Sequence, residues 1–382
     1  MMKIKTLRVL SLLLTAVFIC GAFSACGGKQ KEPSRSVSGL AVIHELEFGG
    51  VYIKMTIDEF NAEGFEYGDS VNVSFSNGYK MDDLPYYNGY YTLTGDPLLI
   101  AYPGYDYIKA AINNGDDLWT VAGLSEDDTA DITVAEQGKY ADIQDARDIH
   151  YEDDRTLFPS DEVFANFRNI TVGNIKEGVV YRSASPCDNQ HNRATYVDAL
   201  ISDAGVKCIL DLADSDEKIK GYISKDGFAC PYFLSLYEAG NVIPLALNMN
   251  YGSDEFRSKV ASGLAEMAEK DGPYLIHCTE GKDRTGFVCM LIEALAGASY
   301  QEIVDDYMIT YDNYYKITWE SDQERYDVIV RSVLVPMIRS MAGDDSLDLR
   351  DADLSVYAEA FLKDAGMSGE QIEALKAKLT AE

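Results

Sequence analysis

Residues 273–286 read PYLIHCTEGKDRTG, an apolar run joined to a polar loop that contains glycine. The run at 273–277 is typical of a buried strand, and residues 285–298 have the apolar character of a buried helix. Gly281 lets the backbone turn tightly enough for successive N–H groups to point inward, and the positive end of the following helix faces the same point. The order strand, loop, helix therefore predicts an α/β domain with a nest that fits a phosphate group.

Two residues of this loop, Cys278 and Arg284, are predicted to be catalytic. The field that favours an anion in the nest also favours the thiolate over the thiol, which makes the sulfur of Cys278 a nucleophile. The planar guanidinium of Arg284 can hold two oxygens of a phosphoryl group, and more tightly as charge spreads over them in the transition state. The pair predicts transfer of a phosphoryl group to sulfur, with a phosphocysteine intermediate.

The other residues of the loop are predicted to bind the substrate or to support the nest. His277 is expected to orient the loop through hydrogen bonds, and Thr285 to donate a hydrogen bond to the sulfur. The residues predicted to contact the substrate are Thr279, Glu280, Gly281, Lys282, Thr285 and Gly286.

The leaving oxygen needs a proton, which a positioned carboxylic acid can supply. Asp283, inside the loop, is the first candidate for this acid. Asp211 and Asp214 follow the apolar strand predicted at 206–212, and they are the alternatives. Either of these two could instead hold Arg284 in place, and the alternative for each of the three aspartates is a solvated loop carboxylate.

Residues 39–145 are predicted to form a small all-β domain, a barrel or a sandwich. Apolar and polar residues alternate at 51–57 and 71–75, which is typical of strands. Asn-Gly pairs at 77–78, 88–89 and 114–115 are signals for hairpin turns. The many tyrosines of this region are expected to be mostly core and cross-strand partners, with an aromatic face for a ligand as the alternative.

The segment 126–155 is rich in Asp and Glu and has few large apolar residues, so it predicts a solvated loop at a domain junction. We place the boundary between residues 145 and 146. Residues 146–382 would then form the catalytic domain, in which strands and helices alternate.

The first 25 residues are predicted to be a signal peptide. Lys3, Lys5 and Arg8 precede an apolar run at 9–22 that is too short to span a membrane comfortably. Cys26 follows small residues in a pattern similar to the lipobox of bacterial lipoproteins, so we expect its lipidation and a tether at 26–38. The chain would then be anchored to the extracytoplasmic side of a bacterial cell membrane. An ordinary secretory signal is the alternative.

The formal net charge of -30 argues against nucleic acid as a partner, because binding to its phosphate backbone depends on clustered Lys and Arg. The four histidines lie far apart without paired spacing, so no metal site is predicted. No cofactor is expected either.

The loop at 277–286 resembles that of a bacterial family of secreted tyrosine phosphatases, also described as dual-specificity and phosphoinositide phosphatases, whose loop reads HCxxGKDRTG. The likeness extends to Tyr181-Arg182-Ser183-Ala184, to Asp211-Leu212 and to the end of the chain at 357–379. Ala213 stands where the family has Arg. The resemblance covers about residues 165–382 and implies an α/β cysteine-phosphatase domain, a parallel sheet flanked by helices.

The resemblance implies a hydrolase for phosphotyrosine, with dual specificity open, in which Cys278, Arg284 and Asp283 act together without a metal. Lys282 suggests the alternative of inositol phosphates or phosphoinositides, or else it faces solvent. A lipoprotein that binds a partner through its β domain, on an inactive phosphatase scaffold, is a second alternative. A sulfurtransferase or arsenate reductase is a third, which is disfavoured by Gly281, Thr285 and Gly286 together with the preceding His277. The predicted partner is therefore a phosphorylated protein or an inositol phosphate.

Overall fold

The computed structural model describes residues 35–380, and their first hundred residues form a barrel of seven strands that closes on itself. The predicted signal peptide, Cys26 and most of the predicted tether lie outside the described residues. The strands are β1 (Ser36–His44), β2 (Val51–Ile53), β3 (Ser70–Phe75), β4 (Lys80–Tyr87), β5 (Pro97–Ile100), β6 (Ile108–Ile112) and β7 (Thr129–Glu136).

The barrel order is β1-β2-β6-β5-β4-β3-β7, with β7 pairing with β1 to close it. Alternating side chains fill the interior: Val71, Val73 and Phe75 of β3 point inward and are buried. Two short helices, α1 (Ile57–Ala62) and α2 (Leu118–Ala122), lie between strands. The region is therefore the predicted barrel, although it is not purely β.

Four local predictions for this region have different outcomes. Asn77-Gly78 does join the antiparallel strands β3 and β4. The prediction for residues 88–89 was wrong, because β4 and β5 are parallel and a longer connection must return the chain. Residues 114–115 lead into α2 and not into a hairpin. The solvated loop predicted from residue 126 was also wrong in part, because β7 occupies 129–136 and pairs on both sides.

The second part of the chain contains a sheet of five strands in the order β11-β10-β12-β9-β8. The four strands from β11 to β9 are parallel, as predicted, while β8 pairs antiparallel at the edge. The strands are β8 (Arg168–Asn169), β9 (Val180–Ser183), β10 (Cys208–Asp211), β11 (Val242–Pro244) and β12 (Tyr274–His277).

Helices cover this sheet and supply most of its core. They are α3 (Ala141–Arg147), α4 (Asp161–Ala165), α5 (Ala194–Asp203), α6 (Asp216–Ile223), α7 (Pro231–Glu238), α8 (Asp254–Glu269), α9 (Asp283–Leu295), α10 (Tyr300–Tyr315), α11 (Gln323–Ile329), α12 (Val335–Ala342), α13 (Leu354–Asp364) and α14 (Gly369–Thr380). A 3₁₀ turn lies at Arg155–Leu157, and a π-helical turn at Val330–Leu334 joins α11 to α12. Helix α9 is buried along most of its length, which explains its nearly uniform apolar sequence.

Helix α3 connects the barrel to the second part of the chain and contacts both. Gln144 exchanges hydrogen bonds with Asn88 of the barrel, while Asp142 forms an ion pair of 2.6 Å with Arg331 near α11. The domain boundary predicted between residues 145 and 146 falls inside this helix. The structure does not test where one domain ends and the next begins, and the boundary remains a prediction. Among residues 35–380, no helix has both the length and the apolar character that a membrane crossing requires.

Candidate active site

The loop 278–282 lies at the carboxyl end of β12, a strand in the interior of the sheet, and leads directly into α9. Because β10, β12 and β9 are parallel and in register, their last residues Asp211, His277 and Ser183 lie side by side at one edge. The helix begins at Asp283, two residues earlier than the sequence predicted, so Arg284 belongs to its first turn. The carboxyl edge of a parallel sheet is where ligands bind in α/β folds.

The carbonyl groups of the loop are held outward by donors from four other segments. The Ser185 N–H donates to the oxygen of Thr279 (3.1 Å), and the Tyr314 hydroxyl donates to that of Glu280 (2.8 Å). The oxygen of Gly281 accepts hydrogen bonds from Arg182 Nη2 (3.1 Å) and Asn166 Nδ2 (3.2 Å). With their carbonyl groups fixed in this direction, the peptide planes turn the N–H groups of the loop toward its centre.

Those N–H groups have no partner within the part of the chain that the structure describes: none from residue 279 to 284 donates a hydrogen bond. Unpaired backbone donors are costly to bury, so a converging set of them is a site for an anion. The positive end of α9 points to the same place, as the sequence predicted.

Gly281 is required where it stands. Its φ of +71° lies in the left-handed region, and a Cβ at this position would collide with the backbone of Ser183 and Ala184 on the neighbouring strand. The loop can therefore pack against β9 only with glycine at this position.

Cys278 lies at the floor of the loop, 3% exposed. Arg284 is fixed beside it: Nη1 donates to the carbonyl of Leu247 (3.2 Å) and Nη2 to the hydroxyl of Thr279 (3.3 Å). Neither Asp211 nor Asp214 holds Arg284 in place in the described structure. The guanidinium donates instead to the carbonyl of Leu247 and the hydroxyl of Thr279.

Two further sequence predictions concern Thr285 and His277. The Thr285 hydroxyl is buried and makes no hydrogen bond in the described structure, so the predicted bond to the sulfur is absent. His277 is buried, with Nδ1 3.3 Å from the carbonyl oxygen of Cys278, a contact that supports the start of the loop.

Charged side chains cluster at the far side of the loop. Lys282 Nζ is 3.3 Å from Glu280 and 3.8 Å from Asp283, and it also donates to the Tyr315 hydroxyl. Burial lowers the pKa of Lys282, but the two carboxylates raise it by more, so the amine stays charged. Its side chain is only 18% exposed, so Lys282 is not the solvent-facing lysine of the alternative interpretation. The Asp283 side chain is 32% exposed, so it is accessible to solvent.

Asp211 and Asp214 lie beneath the loop and are 0% and 1% exposed. Burial, with the nearby carboxylate of Asp214, raises the pKa of Asp211 to about 6, and His277 opposes that shift. His277 Nε2 and Asp211 Oδ2 are 3.8 Å apart, and neither has a hydrogen-bond partner in the described structure. Both carboxylates are thus buried, in contrast to Asp283.

A buried network of charges supports the loop from below. Asp306 of α10 accepts hydrogen bonds from Arg182 (2.7 Å) and Arg168 (3.0 Å). Burial raises the pKa of Asp306, but the two guanidinium groups lower it by more, so this carboxylate is ionised. Burial and Asp306 together raise the pKa of Glu293 well above its ordinary range, which keeps that carboxyl protonated at neutral pH.

Sequence reasoning missed the residues that fix the loop, namely Arg182, Asn166, Tyr314 and Ser185. Arg182 was noted within a family segment but received no role, although an arginine inside an apolar strand indicates a buried ion pair. No local pattern marks Asn166 or Tyr314, because each contacts the loop through the fold alone.

One buried group has the side chains that can bind a metal ion. Ligand-type atoms of Cys187, Asp211 and Asp214 lie within 4.8 Å of one another in the described structure. Asp214 is already paired with Lys218 (2.9 Å), and burial followed by Asp211 raises the pKa of Cys187, which keeps the thiol protonated. No catalytic step is assigned to this group.

The chain is similar to known phosphatases over part of its length. It is 33% identical over 121 residues to the tyrosine-protein phosphatase of Nostoc commune, which is 29% of this chain and 40% of that protein. It is 28% identical over 120 residues to the triple specificity protein phosphatase PtpB of Mycobacterium tuberculosis, 28% of this chain and 44% of that protein. The chain therefore spans less than half the length of these curated relatives.

Two solved structures are also similar. P. aeruginosa TpbA, solved in complex with pTyr, is 16% identical with a TM-score of 0.28, over 51% of this chain and 94% of that one. The core catalytic domain of the PP-IP phosphatase SIW14 from S. cerevisiae is 20% identical with a TM-score of 0.25, over 42% of this chain and 86% of that one. Finally, a model of the tyrosine phosphatase family matches residues 162–381. That match takes in more than half of the residues and contains the whole loop, so the chain belongs to the tyrosine phosphatase family.

Proposed function

We propose that this chain is a cysteine-dependent phosphatase that hydrolyses phosphotyrosine in proteins through a phosphocysteine intermediate. One observation carries the proposal: the carbonyl groups of the loop are held outward while six successive residues, 279–284, leave their N–H groups unpaired in the described structure, around Cys278. A phosphate dianion matches such a nest in charge and in its need for donors.

In the first step the thiolate of Cys278 attacks phosphorus, and the bond from phosphorus to the tyrosine oxygen breaks. Asp283 gives its proton to that leaving oxygen, while Arg284 and the N–H groups bind the three phosphoryl oxygens. In the second step water attacks phosphorus and gives a proton to the Asp283 carboxylate. The bond from sulfur to phosphorus breaks, which returns the thiolate and releases inorganic phosphate.

The remaining loop residues have supporting parts in this proposal. Thr279, Glu280, Gly281 and Lys282 form the wall of the phosphate nest. Gly286, predicted to contact the substrate, is buried in α9 and donates its N–H to the Lys282 carbonyl (2.7 Å), so it is not part of the nest. The buried hydroxyl of Thr285 is available to the sulfur when the thiolate leaves. His277 supports the start of the loop through its contact with the Cys278 carbonyl, and Asp211 and Asp214 are buried behind it.

The test is hydrolysis of p-nitrophenyl phosphate and of a phosphotyrosine peptide by the reduced chain, in chelator, by wild type, Cys278→Ser and Cys230→Ser. Cys230 is a matched control because burial, followed by Asp198, raises the pKa of its thiol to about 12, and serine is a favourable residue at its position, the N-cap of α7. We expect Cys278→Ser alone to abolish turnover. Full activity of Cys278→Ser, or none in wild type, would refute the proposal.

The second candidate substrate is an inositol phosphate or phosphoinositide, which Lys282 favours because it adds a cation beside the nest. Its pairing with Glu280 and Asp283 reduces the charge that it can offer to such a polyanion. A panel of inositol phosphates in the same assay decides, since a higher kcat/KM than for the peptide would favour this candidate.

We also propose that the chain is exported and lipid-anchored through Cys26, on the basis of its sequence alone. Labelling of the full chain with a fatty-acid analogue in a bacterial host tests this, with Cys26→Ala as the variant and Cys20→Ala as the control in the same leader. Loss of label in Cys26→Ala only is the expected result. Equal label in both variants would refute the anchor.

A further inference from the structure

A cleft of about 1540 Å³ opens between the barrel and the catalytic loop. The barrel lines it with Tyr90, Tyr91 and Tyr102, and the catalytic part lines it with Lys282 and Asp283, the last two residues before Arg284. These tyrosines are partly exposed, in contrast to the buried Tyr86 and Tyr87. The barrel therefore provides one wall of a cavity that begins at the proposed general acid.

Arg147, the last residue of α3, contributes a cation to this cleft. Its guanidinium lies 5.2 Å from the centre of the Tyr91 ring, and within residues 35–380 it forms no ion pair. Its position is fixed by the helix, because Gln144 is hydrogen-bonded to Asn88 and Asp142 is paired with Arg331. The carboxylates that also line the cleft, those of Asp96, Asp148, Asp283 and Asp345, form no ion pair with Arg147 in the described structure. Its guanidinium is therefore available to bind an anion.

Tyr251 lines the same cleft as Arg147. Its ring is stacked on Phe287 of α9 (4.9 Å), and its buried hydroxyl has no hydrogen-bond partner in the described structure. Burial, with the charges of Asp283 and Cys278, raises the pKa of this hydroxyl, while Arg147 and Arg284 act against that rise. One unpaired donor thus lines the cleft beside α9, the helix that follows the catalytic loop.

The size and lining of the cleft indicate what occupies it. Small molecules fill cavities of roughly 300–1,000 Å³, and this cleft is larger. Its walls carry amide side chains, among them Asn88, Asn114 and Asn250, and aromatic rings, which together suit the main chain and side chains of a peptide. Asn250 also donates to the carbonyl of Asn114 across the cleft (3.3 Å), which joins the two walls.

We propose that this cleft binds the polypeptide segment next to the phosphorylated residue, and that Arg147 binds an acidic side chain of that segment. The inference rests on the proposed function, since it names the substrate class of the same site. It gives the barrel a part in substrate recognition. It also places a specificity residue outside the region that the family model matches, 162–381.

The experiment compares two phosphotyrosine peptides of equal length whose flanking residues are Glu in one and Gln in the other. Wild type, Arg147→Gln, Arg147→Lys and Arg350→Gln are assayed, together with p-nitrophenyl phosphate. Arg350 is the control because it is exposed, does not line the cleft and forms no ion pair in the described structure. Thermal unfolding of each variant shows that it is folded.

We expect wild type and Arg350→Gln to prefer the Glu peptide by about fivefold in kcat/KM, the size of one partly exposed ion pair. Arg147→Gln should lose that preference, and Arg147→Lys should keep part of it. An unchanged preference in Arg147→Gln, or none in wild type, overturns the inference. So does an effect of Arg147→Gln on inositol phosphates but not on peptides. Failure of wild type to hydrolyse p-nitrophenyl phosphate would instead overturn the proposed function.

Discussion

At the scale of single residues, the site contains carboxylates in two different environments. Asp283 is partly exposed and close to a cation, whereas Asp211 is fully buried beside His277. A general acid must reach the leaving oxygen, and a buried carboxyl beneath the loop cannot do so. The two aspartates therefore support different predictions, one kinetic and one thermodynamic.

Asp283→Asn is expected to slow the first step most for substrates with a poor leaving group. The loss of kcat for phenyl phosphate should be of the order of 10²–10⁴, the range of general acid catalysis, and smaller for p-nitrophenyl phosphate, whose leaving oxygen needs little protonation. Steady-state kinetics on both substrates measures this. Asp364→Asn, at an exposed helix end, is the control, and equal losses on the two substrates would argue against Asp283 as the acid.

Asp211→Asn is expected to change how stability depends on pH. The folded chain raises the pKa of Asp211 from 3.8 to about 6, so it holds this proton more tightly than the unfolded chain does. The stabilising contribution is therefore complete below about pH 4 and is lost as the pH rises through 6. Asparagine has no such titration, and its oxygen can still accept the N–H of Ala213.

Urea unfolding between pH 4 and 7 tests this difference. The free energy of unfolding of wild type should fall by about 2–3 kcal/mol relative to Asp211→Asn over this range, as two pKa units require. A difference between the two proteins that stays constant with pH would contradict the assignment.

At the scale of elements, the loop depends on its contact with β9. Gly281→Ala should reduce kcat/KM by about a hundredfold or more, because the added Cβ collides with Ser183 and moves the N–H groups. Gly343→Ala is the matched control: its φ of +67° is similar, but its Cβ would meet nothing within 4 Å. The control should lose roughly 1 kcal/mol of stability and keep its activity. Equal kinetic losses in both variants would mean that strain alone, and not the collision, matters.

The same scale shows how far the sequence could predict the structure. The strand, loop and helix at 273–295 follow from local periodicity, and Asn77-Gly78 follows from turn chemistry. The parallel pairing of β4 with β5, and strand β7 in an acid-rich segment, depend on partners distant in sequence. No local rule predicts such pairings, because the same turn signal and the same acidic stretch occur in surface loops.

The site divides in the same way. Cys278, Gly281 and Arg284 could be found from the sequence because their chemistry needs a fixed spacing within one loop. The donors that hold this loop, Arg182 and Tyr314, come from β9 and α10 and could not be found in that way. Arg147, the proposed specificity residue, belongs to a third class, since it precedes the family region and only the contact of α3 with the barrel brings it into the cleft.

At the scale of the whole molecule, the negative net charge repels an anionic substrate outside the nest. The chain has 63 acidic and 33 basic residues, a formal net charge of -30, so an anionic substrate is repelled until it reaches the loop. Salt weakens this repulsion by screening it, because the Debye length falls from about 30 Å at 0.01 M salt to about 8 Å at 0.15 M. The short contacts inside the loop are screened much less.

We therefore expect kcat/KM for p-nitrophenyl phosphate and for an acidic phosphopeptide to rise severalfold between 0.01 and 0.15 M NaCl. A phosphotyrosine peptide flanked by lysines is the control, and its kcat/KM should fall over the same range because the acidic surface attracts it. If kcat/KM for the anionic substrates falls instead, the local field of Arg147, Lys282 and Arg284 governs capture. The net charge would then affect solubility alone.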